Sequence, residues 1–128
     1  MATRAFPVVY AWDVERMARF WELLGFERHY QLPPDGEPGY VGLRTASAEL
    51  AVTHANWAAE RYGLTMVEGP RFEMYVYVDD LDIAVQRLRT KRIRVLRDPE
   101  VMPWGETIAT VADPEGNPVV LCAQRGNE

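Results

Sequence analysis

The order of secondary structure is set by one stretch, Phe6-Pro-Val-Val-Tyr-Ala-Trp12, with Asp13 and Val14-Glu-Arg-Met-Ala-Arg-Phe-Trp-Glu-Leu-Leu24 after it. The first segment is an apolar run of the length of a strand. The second segment repeats its apolar residues at helical spacing, at Val14, Met17, Trp21 and Leu24. Asp13 suits the N-terminal cap of a helix, and Gly25 suits the position just after its end. The stretch therefore predicts a strand followed by an amphipathic helix.

The same pattern returns in the second half of the chain. The apolar segment Glu73-Met-Tyr-Val-Tyr-Val78 is followed by Asp79 and Asp80, and then by a segment with an apolar face at Leu81, Ala84, Val85 and Leu88. Asp13 and Asp80 are 67 residues apart, which is about half of the chain. Three short strand-like segments follow each helix: Phe26–Tyr30, Tyr40–Arg44 and Glu49–Thr53 after the first, and Ile93–Leu96, Thr107–Val111 and Pro118–Cys122 after the second.

This repeat predicts an α+β protein made of two βαβββ modules. Module one covers about residues 5–54 and module two about 71–124, with a linker at about 55–70 in which Ala55–Tyr62 could form a short helix. Proline and glycine mark the connections between strands, as at Pro33–Gly39 and in a loop holding Pro99, Pro103, Trp104 and Gly105. Each module alone is too small to bury its sheet face, so we expect residues 1–128 to form a single domain.

The composition is typical of a globular protein and excludes several classes. Of 128 residues, 48% are hydrophobic and 26% are charged, and no apolar run approaches the roughly 18 residues of a membrane span. The N-terminus shows no secretory signal, so a cytoplasmic location is expected. The single cysteine, Cys122, excludes an internal disulfide and a zinc site made of several thiolates. We expect the thiol of Cys122 to be buried as a small apolar group.

The charge balance argues against a nucleic-acid partner. The net charge is −5, whereas basic residues supply most of the affinity for phosphates. Six of the fourteen basic residues nevertheless lie between Arg87 and Arg97. This segment is either an anion-binding patch or the end of a helix followed by an edge strand, with solvated side chains. The second interpretation is favoured because the C-terminus of a helix attracts cations.

Several segments resemble the glyoxalase/bleomycin-resistance/dioxygenase group, the vicinal oxygen chelate superfamily. They are Pro7-Val-Val-Tyr-Ala-Trp-Asp-Val14, Phe20-Trp21 with Leu24-Gly-Phe-Glu27, and Asp113-Pro-Glu-Gly-Asn117. The Pro-Val start of the first strand and the Phe-Trp pair are similar to the bleomycin-resistance branch in particular. The resemblance implies a curled mixed sheet with a concave ligand cup, commonly built at the interface of a homodimer.

The resemblance also implies four possible metal-ligand positions. Enzymes of the superfamily usually carry His or Glu seven residues before each capping aspartate, and Glu on the last strand of each module. The matching positions hold Phe6, Glu73, Ala51 and Val120. Three of these four side chains cannot bind a divalent ion, and a metal site normally needs three or four protein ligands. We therefore predict no metal and no cofactor, and the histidines His29 and His54 occupy none of the four positions.

Strand alternation, taken with this resemblance, predicts which side chains face the cup. An open sheet face normally carries polar residues, so several aromatic residues on one face indicate a ligand, a partner chain or both. A second hydrophobic layer or a dimer interface would also account for them. Trp57 and Trp104 lie in connections, where aromatic residues have little structural reason to be. The predicted ligand-binding residues are Phe6, Tyr10, Tyr40, Arg44, His54, Trp57, Glu73, Tyr75, Tyr77 and Trp104.

The resemblance and the aromatic cup together favour a non-catalytic antibiotic-resistance protein. It would bind and sequester a planar aromatic natural product, with no catalytic residue and no bond made or broken. One alternative is a metal-dependent or metal-free enzyme of the superfamily, such as a lyase, an isomerase or a dioxygenase. Another is a dimeric interaction module whose cup is filled by its partner. The expected partners are a small aromatic molecule and a second copy of the chain, with no nucleic acid and no membrane.

Overall fold

The computed structural model describes residues 1–2 and 4–123, except for the side chain of residue 58. The chain divides into two compact units, one formed by Met1–Glu68 and the other beginning at Gly69. The boundary lies inside the predicted linker, residues 55–70. Each unit contains one four-stranded mixed sheet, and neither sheet closes into a barrel. No helix among the described residues is both long enough and apolar enough to cross a membrane.

Unit 1 has the order of elements that was predicted for module one, followed by a short helix. The elements are β1 (Val8–Ala11), α1 (Val14–Leu23), β2 (Glu27–Leu32), β3 (Tyr40–Arg44), β4 (Glu49–His54) and α2 (Asn56–Tyr62). The strand order is β1-β4-β3-β2. Strands β1 and β4 are parallel, and the other neighbours are antiparallel. The short helix predicted at Ala55–Tyr62 is therefore present as α2.

The core of unit 1 lies between α1 and one face of its sheet. The side chain of Asp13 caps α1 by accepting a hydrogen bond from the Arg16 N–H at 3.0 Å, as the sequence predicts. Val14, Met17 and Trp21 are buried on one face of the helix. Burying side chains of this size contributes about 1.5–3 kcal/mol each. The strand residues buried with them are Val9, Val41, Leu43, Leu50 and Val52.

Unit 2 repeats the same order of elements. They are β5 (Met74–Val78), α3 (Leu81–Thr90), β6 (Val95–Val101), β7 (Thr107–Ala112) and β8 (Pro118–Ala123), with the strand order β5-β8-β7-β6. Strands β5 and β8 are parallel, and the other neighbours are antiparallel. Asp80 caps α3 by accepting a hydrogen bond from the Ile83 N–H at 3.0 Å. The predicted α+β class with two βαβββ modules is confirmed.

Strand β6 differs from the prediction, which ended this strand at Leu96 and placed Pro99 in a loop. The strand continues to Val101 and includes Pro99. Proline cannot donate a hydrogen bond within a sheet, so it is tolerated at edges and irregularities. β6 is one of the two edge strands of its four-stranded sheet, and its pairing with β7 shifts register between Arg97 and Glu100, on either side of Pro99. The proline therefore interrupts the strand where no regular pairing is lost.

The segment Asp113-Pro-Glu-Gly-Asn117 forms the turn between β7 and β8. The buried carboxylate of Asp113 accepts hydrogen bonds from the backbone N–H groups of Glu115 at 2.9 Å and Asn117 at 2.8 Å, and from Asn117 Nδ2 at 2.9 Å. Asn117 is fully buried, and its Oδ1 accepts a hydrogen bond from the Arg71 N–H at 2.8 Å. These residues hold the turn and the start of unit 2 together.

The helices α1 and α3 end in the same way but with different residues. The Phe26 N–H donates to the Trp21 carbonyl at 3.1 Å, and the Ile93 N–H donates to the Leu88 carbonyl at 3.0 Å. This motif requires a residue of positive φ just before the donor. Gly25 supplies it after α1 with φ +96°, whereas Arg92 supplies it after α3 with φ 63°.

We expect Arg92→Gly to stabilise the protein by about 1 kcal/mol, because a residue other than glycine pays a steric cost in this conformation. Urea unfolding of both proteins measures the difference. Gly25→Ala serves as the reciprocal change and should lower stability by a similar amount. A loss of stability in Arg92→Gly would contradict the assignment of strain to this position.

The arginine-rich segment behaves as a helix end and an edge strand. Arg87 and Arg89 lie in the last turn of α3, where the helix dipole favours cations. Arg89 pairs with Asp98. Arg97 pairs with Glu100, with Nη2 and Oε1 2.9 Å apart. The segment therefore lies at a helix end and on an edge strand, where the favoured interpretation places it.

Candidate functional site

The hairpin turn between β6 and β7 carries two side chains of interest in unit 2. Its segment is Met102-Pro-Trp-Gly-Glu106, in which the Gly105 N–H donates to the Met102 carbonyl at 2.9 Å and the Met102 N–H to the Glu106 carbonyl at 2.8 Å. Proline suits the second position of such a turn, and Gly105 adopts φ +97°, which few other residues tolerate. The turn thereby fixes the positions of Trp104 and Glu106.

Three aromatic side chains donate hydrogen bonds to the carboxylate of Glu106. Trp104 Nε1 donates to Oε1 at 2.8 Å, and the Tyr77 hydroxyl donates to Oε2 at 2.8 Å. The Tyr75 hydroxyl donates to Oε1 at 3.3 Å. Tyr75 and Tyr77 are two residues apart on β5, so they point from the same face, and their ring centroids are 5.8 Å apart. We call Tyr75, Tyr77, Trp104 and Glu106 the Glu106 cluster.

The hydrogen bonds of the Glu106 cluster fix its charge state at neutral pH. Those from Tyr77 and Trp104 hold the pKa of the Glu106 carboxyl below its ordinary value. The hydrogen bond to Glu106, together with desolvation, raises the pKa of Tyr77 to about 12. Desolvation and the charge of Glu106 also raise the pKa of Tyr75. The cluster therefore consists of one carboxylate and three neutral aromatic donors.

Buried apolar residues lie on the same face of the unit 2 sheet. Tyr75 is paired with Val120 and Tyr77 with Cys122, while Ile108 is paired with Cys122 from the other side. Residues paired across neighbouring strands point to the same face. We call this surface the apolar floor, made of the buried cluster Ile108, Val120 and Cys122 and of the partly buried Met102 packed against it. The predicted burial of Cys122 is confirmed.

The aromatic rings of the Glu106 cluster remain about half exposed. The exposed fractions are 42% for Tyr75, 51% for Tyr77 and 57% for Trp104. Their polar ends are engaged by Glu106, so their apolar surface is the part left for contact with another molecule. Tyrosine and tryptophan held in this way are typical of binding sites. The sequence predicts all three rings as site residues, and the structure brings them together.

Unit 1 contains a concavity of about 210 Å³ near the start of β4. Arg4 Nε donates to Glu49 Oε2 at 3.0 Å, and the Arg4 guanidinium lies 4.9 Å from the ring centroid of Phe6. His29 Nε2 lies 3.7 Å from Glu49 Oε1. The lining residues are Arg4, Phe6, His29, Tyr30, Tyr40, Gly42, Glu49, Leu50 and Ala51. Of the predicted site residues, the structure brings Phe6 and Tyr40 together here.

The charged groups of this concavity stabilise one another. The hydrogen bond from Arg4 holds the pKa of the Glu49 carboxyl below its ordinary value. Desolvation raises the pKa of Tyr40, whose ring meets that of Tyr30 edge to face with centroids 6.0 Å apart. The concavity therefore combines an ion pair with two tyrosine rings.

The remaining predicted residues of unit 1 do not line this concavity, although Arg44 is paired with Glu49, which does. Tyr10 is half-buried on β1, and Arg44 is exposed at the end of β3. Trp57 lies on α2, with the Arg61 guanidinium 5.5 Å from its ring. In unit 2, Glu73 is exposed just before β5.

His54 differs from the prediction that it opens onto the cup. Alternate residues of a strand point to the same face, so His54 points to the helix side with the buried Leu50 and Val52, and not to the face of Ala51. Its Nδ1 accepts a hydrogen bond from the Asn56 N–H at 3.1 Å, and its ring meets that of Trp12 with centroids 6.0 Å apart. These contacts give His54 a structural role at the start of α2.

The four ligand positions implied by the resemblance do not fit a metal ion. Phe6 and Ala51 line the unit 1 concavity, and Val120 lies in the apolar floor, so three positions offer no donor atom. Only Glu73 carries a carboxylate. Across residues 1–2 and 4–123, no three His, Cys, Asp or Glu side chains are grouped so that they could hold a metal ion.

Among the polar and aromatic side chains of these two surfaces, sequence reasoning missed five. Glu106 could have been found from its position two residues after Trp104, at the start of β7. The others line the unit 1 concavity and are brought together by pairing between distant strands; they are Arg4, His29, Tyr30 and Glu49. Their separation along the chain leaves no local signal.

The two βαβββ units define the vicinal oxygen chelate class of fold. The chain belongs to the Glyoxalase/Bleomycin resistance protein/Dioxygenase superfamily, whose profile matches residues 5–121. Among curated proteins, no significant match was found. Solved structures of several bacterial proteins are similar to this chain over nearly its whole length.

Three of these structures illustrate the range of relatives. A hypothetical protein, SA1046, from S. aureus has a TM-score of 0.81 and 17% identity, covering 97% of this chain and 95% of that one. TioX from Micromonospora sp. ML1 has a TM-score of 0.74 and 20% identity, covering 94% and 98%. Lactoylglutathione lyase from Agrobacterium tumefaciens has a TM-score of 0.70 and 19% identity, covering 95% and 94%. At these identities the similarity establishes the fold alone.

Proposed function

We propose that this protein binds a planar aromatic small molecule on the Glu106 cluster and carries out no reaction on it. The single observation that supports the proposal is three half-exposed aromatic rings fixed by one carboxylate. The biological role that we assign is antibiotic resistance by sequestration in the cytoplasm, as in the bleomycin-resistance branch. A bound drug is withheld from its target by mass action.

The geometry favours binding because the rings are held in place before a ligand arrives. Ordering a free aromatic side chain on binding costs about 0.5–1.5 kcal/mol, and the hydrogen bonds to Glu106 reduce that cost. The apolar floor adds surface that excludes water from one side. In unit 1, Phe6 and Tyr40 offer a second aromatic surface in the concavity. We retain Tyr10, Arg44 and Trp57 as proposed contributors to ligand binding by unit 1.

The absence of suitable ligands at the superfamily's metal positions supports a non-catalytic role. Phe6, Ala51 and Val120 carry no donor atom, and Cys122 is buried. A metal-free enzyme is the second candidate. It is favoured by the position of His29 Nε2, 3.7 Å from Glu49 Oε1, beside a concavity that a small substrate could enter.

The test is a binding screen with planar aromatic antibiotics and flavin-like compounds, run with and without added divalent metal. We expect saturable quenching of tryptophan fluorescence that is independent of metal, and unchanged ligand on recovery. Elemental analysis of the dialysed protein should find no stoichiometric transition metal. About one metal ion per chain, or conversion of the bound compound, would contradict the proposal.

The proposal includes a homodimer. Tyr75, Tyr77 and Val8 expose apolar surface on the sheet faces opposite the helices, and such surfaces usually mark interfaces. Light scattering at micromolar concentration should give twice the mass of one chain. A dimer that binds none of the screened compounds would instead favour an interaction module.

A further inference from the structure

The carboxylate of Glu106 has no cationic partner among the described residues of unit 2, which run from 69 to 123. Its aromatic hydrogen-bond donors Trp104, Tyr75 and Tyr77 are neutral, and the Cys122 thiol makes a further hydrogen bond to it. The ion pairs found in unit 2 over those residues join other groups, namely Arg71 with Glu115, Arg89 with Asp98, and Arg97 with Glu100. The cluster is therefore a surface with one negative charge and three aromatic rings.

We infer that the Glu106 cluster binds a fully alkylated ammonium group carried by the aromatic ligand. The inference rests on the proposed function and specifies the chemistry of its ligand. An anionic ligand would be repelled by Glu106, and a neutral ligand would leave its charge unused. A cation over the face of tyrosine or tryptophan is attracted by the ring as well as by the carboxylate.

The hydrogen bonds of Glu106 distinguish between classes of cation. A carboxylate offers about four acceptor positions. Oε1 already accepts from Trp104 and Tyr75, and Oε2 accepts from Tyr77. About one position is left, so a primary ammonium with three N–H groups or a guanidinium with five could satisfy only part of them without displacing these donors. A quaternary ammonium has no N–H group, so it can use the charge of the carboxylate and the ring faces without breaking the cluster.

The same hydrogen bonds strengthen the rings as partners for a cation. A phenol that donates to a carboxylate is polarised toward phenolate, and its ring face becomes more negative. Tyr75 and Tyr77 are both polarised in this way, with their ring planes inclined at 43° to each other. Two inclined faces beside the half-exposed indole of Trp104 form a surface suited to a compact, rounded cation.

The experiment compares three phenols by calorimetric titration of the full-length protein. They are 3-hydroxyphenyltrimethylammonium, its neutral isostere 3-tert-butylphenol, and the primary amine 3-(aminomethyl)phenol. We expect the quaternary compound to bind at least tenfold more tightly than either of the others. In Glu106→Gln, its advantage over the neutral isostere should fall at least fivefold, and the ratio of the two affinities cancels any change that the substitution makes in the aromatic contacts common to both compounds.

The control variant is Asp82→Asn, which makes the same change of charge in the exposed first turn of α3. It should leave the preference unchanged. Comparison of the three probes on the unaltered protein decides the inference even where Glu106→Gln folds poorly. Equal binding of the quaternary compound and its isostere would overturn the cation inference and leave aromatic binding in place. Failure of all three probes to bind at 10 mM would overturn both.

Discussion

Asp113→Ala is expected to lower the free energy of unfolding by about 3 kcal/mol, since each buried hydrogen-bonding group left without a partner costs about 1–3 kcal/mol. Asp113 is 4% exposed, and its carboxylate accepts three hydrogen bonds, two of them from the fully buried Asn117. Removing it leaves the Asn117 N–H and Nδ2 without acceptors. Urea unfolding followed by circular dichroism measures the loss.

The matched control for this prediction is Asp98→Ala. Asp98 is an exposed carboxylate on β6 that pairs with Arg89. Exposed ion pairs contribute about 0–1 kcal/mol, so this variant should unfold almost like the unaltered protein. If the two variants lost equal stability, the turn at Asp113 would not be the clamp that its hydrogen bonds indicate.

Asp113→Asn separates the charge of this group from its hydrogen bonds. Burial raises the pKa of Asp113, so ionisation disfavours the folded state. The raised pKa of Asp113 therefore contributes stability that is fully present below the ordinary pKa of aspartate. This contribution is lost as pH rises through the higher pKa of the folded state. Asparagine does not titrate, so Asp113→Asn removes this dependence on pH. Its side-chain NH₂ group would, however, face Asn117 Nδ2, so that two donors meet without an acceptor. We expect a loss smaller than that of alanine.

The fold could be predicted because its signals are local. Asp13 and Asp80 each cap the helix that follows them, and the turn at Asp113 contains its own hydrogen bonds within five residues. Strand alternation puts Tyr75 and Tyr77 on one face and Met74, Val76 and Val78 on the other, and it holds because β5 pairs in regular register over its whole length. The predictions were wrong where regularity ended, as in β6, where a register shift accommodates Pro99.

The site was predictable only in part, since its assembly depends on distant strands. Glu106 meets Tyr75 across β8, which lies between β5 and β7, and no short-range pattern connects residues 31 positions apart. In β2, a register shift between Arg28 and Tyr30 pairs Arg28 with Leu43 but Tyr30 with Gly42. Simple alternation puts both side chains on one face. The shift instead turns Arg28 toward Glu15 on α1 and Tyr30 toward the concavity.

Trp104→Ala is expected to weaken the binding of a planar aromatic ligand by about 1–3 kcal/mol, or about 5- to 150-fold in Kd. The indole is 57% exposed in a turn, so its loss removes contact surface and one hydrogen bond to Glu106 without opening the core. Unfolding by urea should therefore be nearly unchanged. Fluorescence or calorimetric titration with the best compound of the screen measures Kd.

Tyr75→Ala removes a second ring of the same surface and should weaken binding over the same range. Tyr75 is paired with Val120 of the apolar floor, so this variant needs a measurement of stability and of the dimer beside that of Kd.

Glu73→Gln keeps the shape of the side chain and removes its charge. This variant should therefore reduce the affinity of a cationic ligand and hardly change that of a neutral one.

Tyr62→Ala provides the matched control for the two aromatic substitutions. Tyr62 is 59% exposed at the end of α2, comparable to Trp104 and Tyr75, but it belongs to unit 1 and is not a member of the Glu106 cluster or of the apolar floor. Its replacement should leave Kd unchanged. Two outcomes would place the ligand away from the Glu106 cluster. One is that Tyr62→Ala weakens binding as much as Trp104→Ala. The other is that Trp104→Ala and Tyr75→Ala are folded and bind the ligand normally.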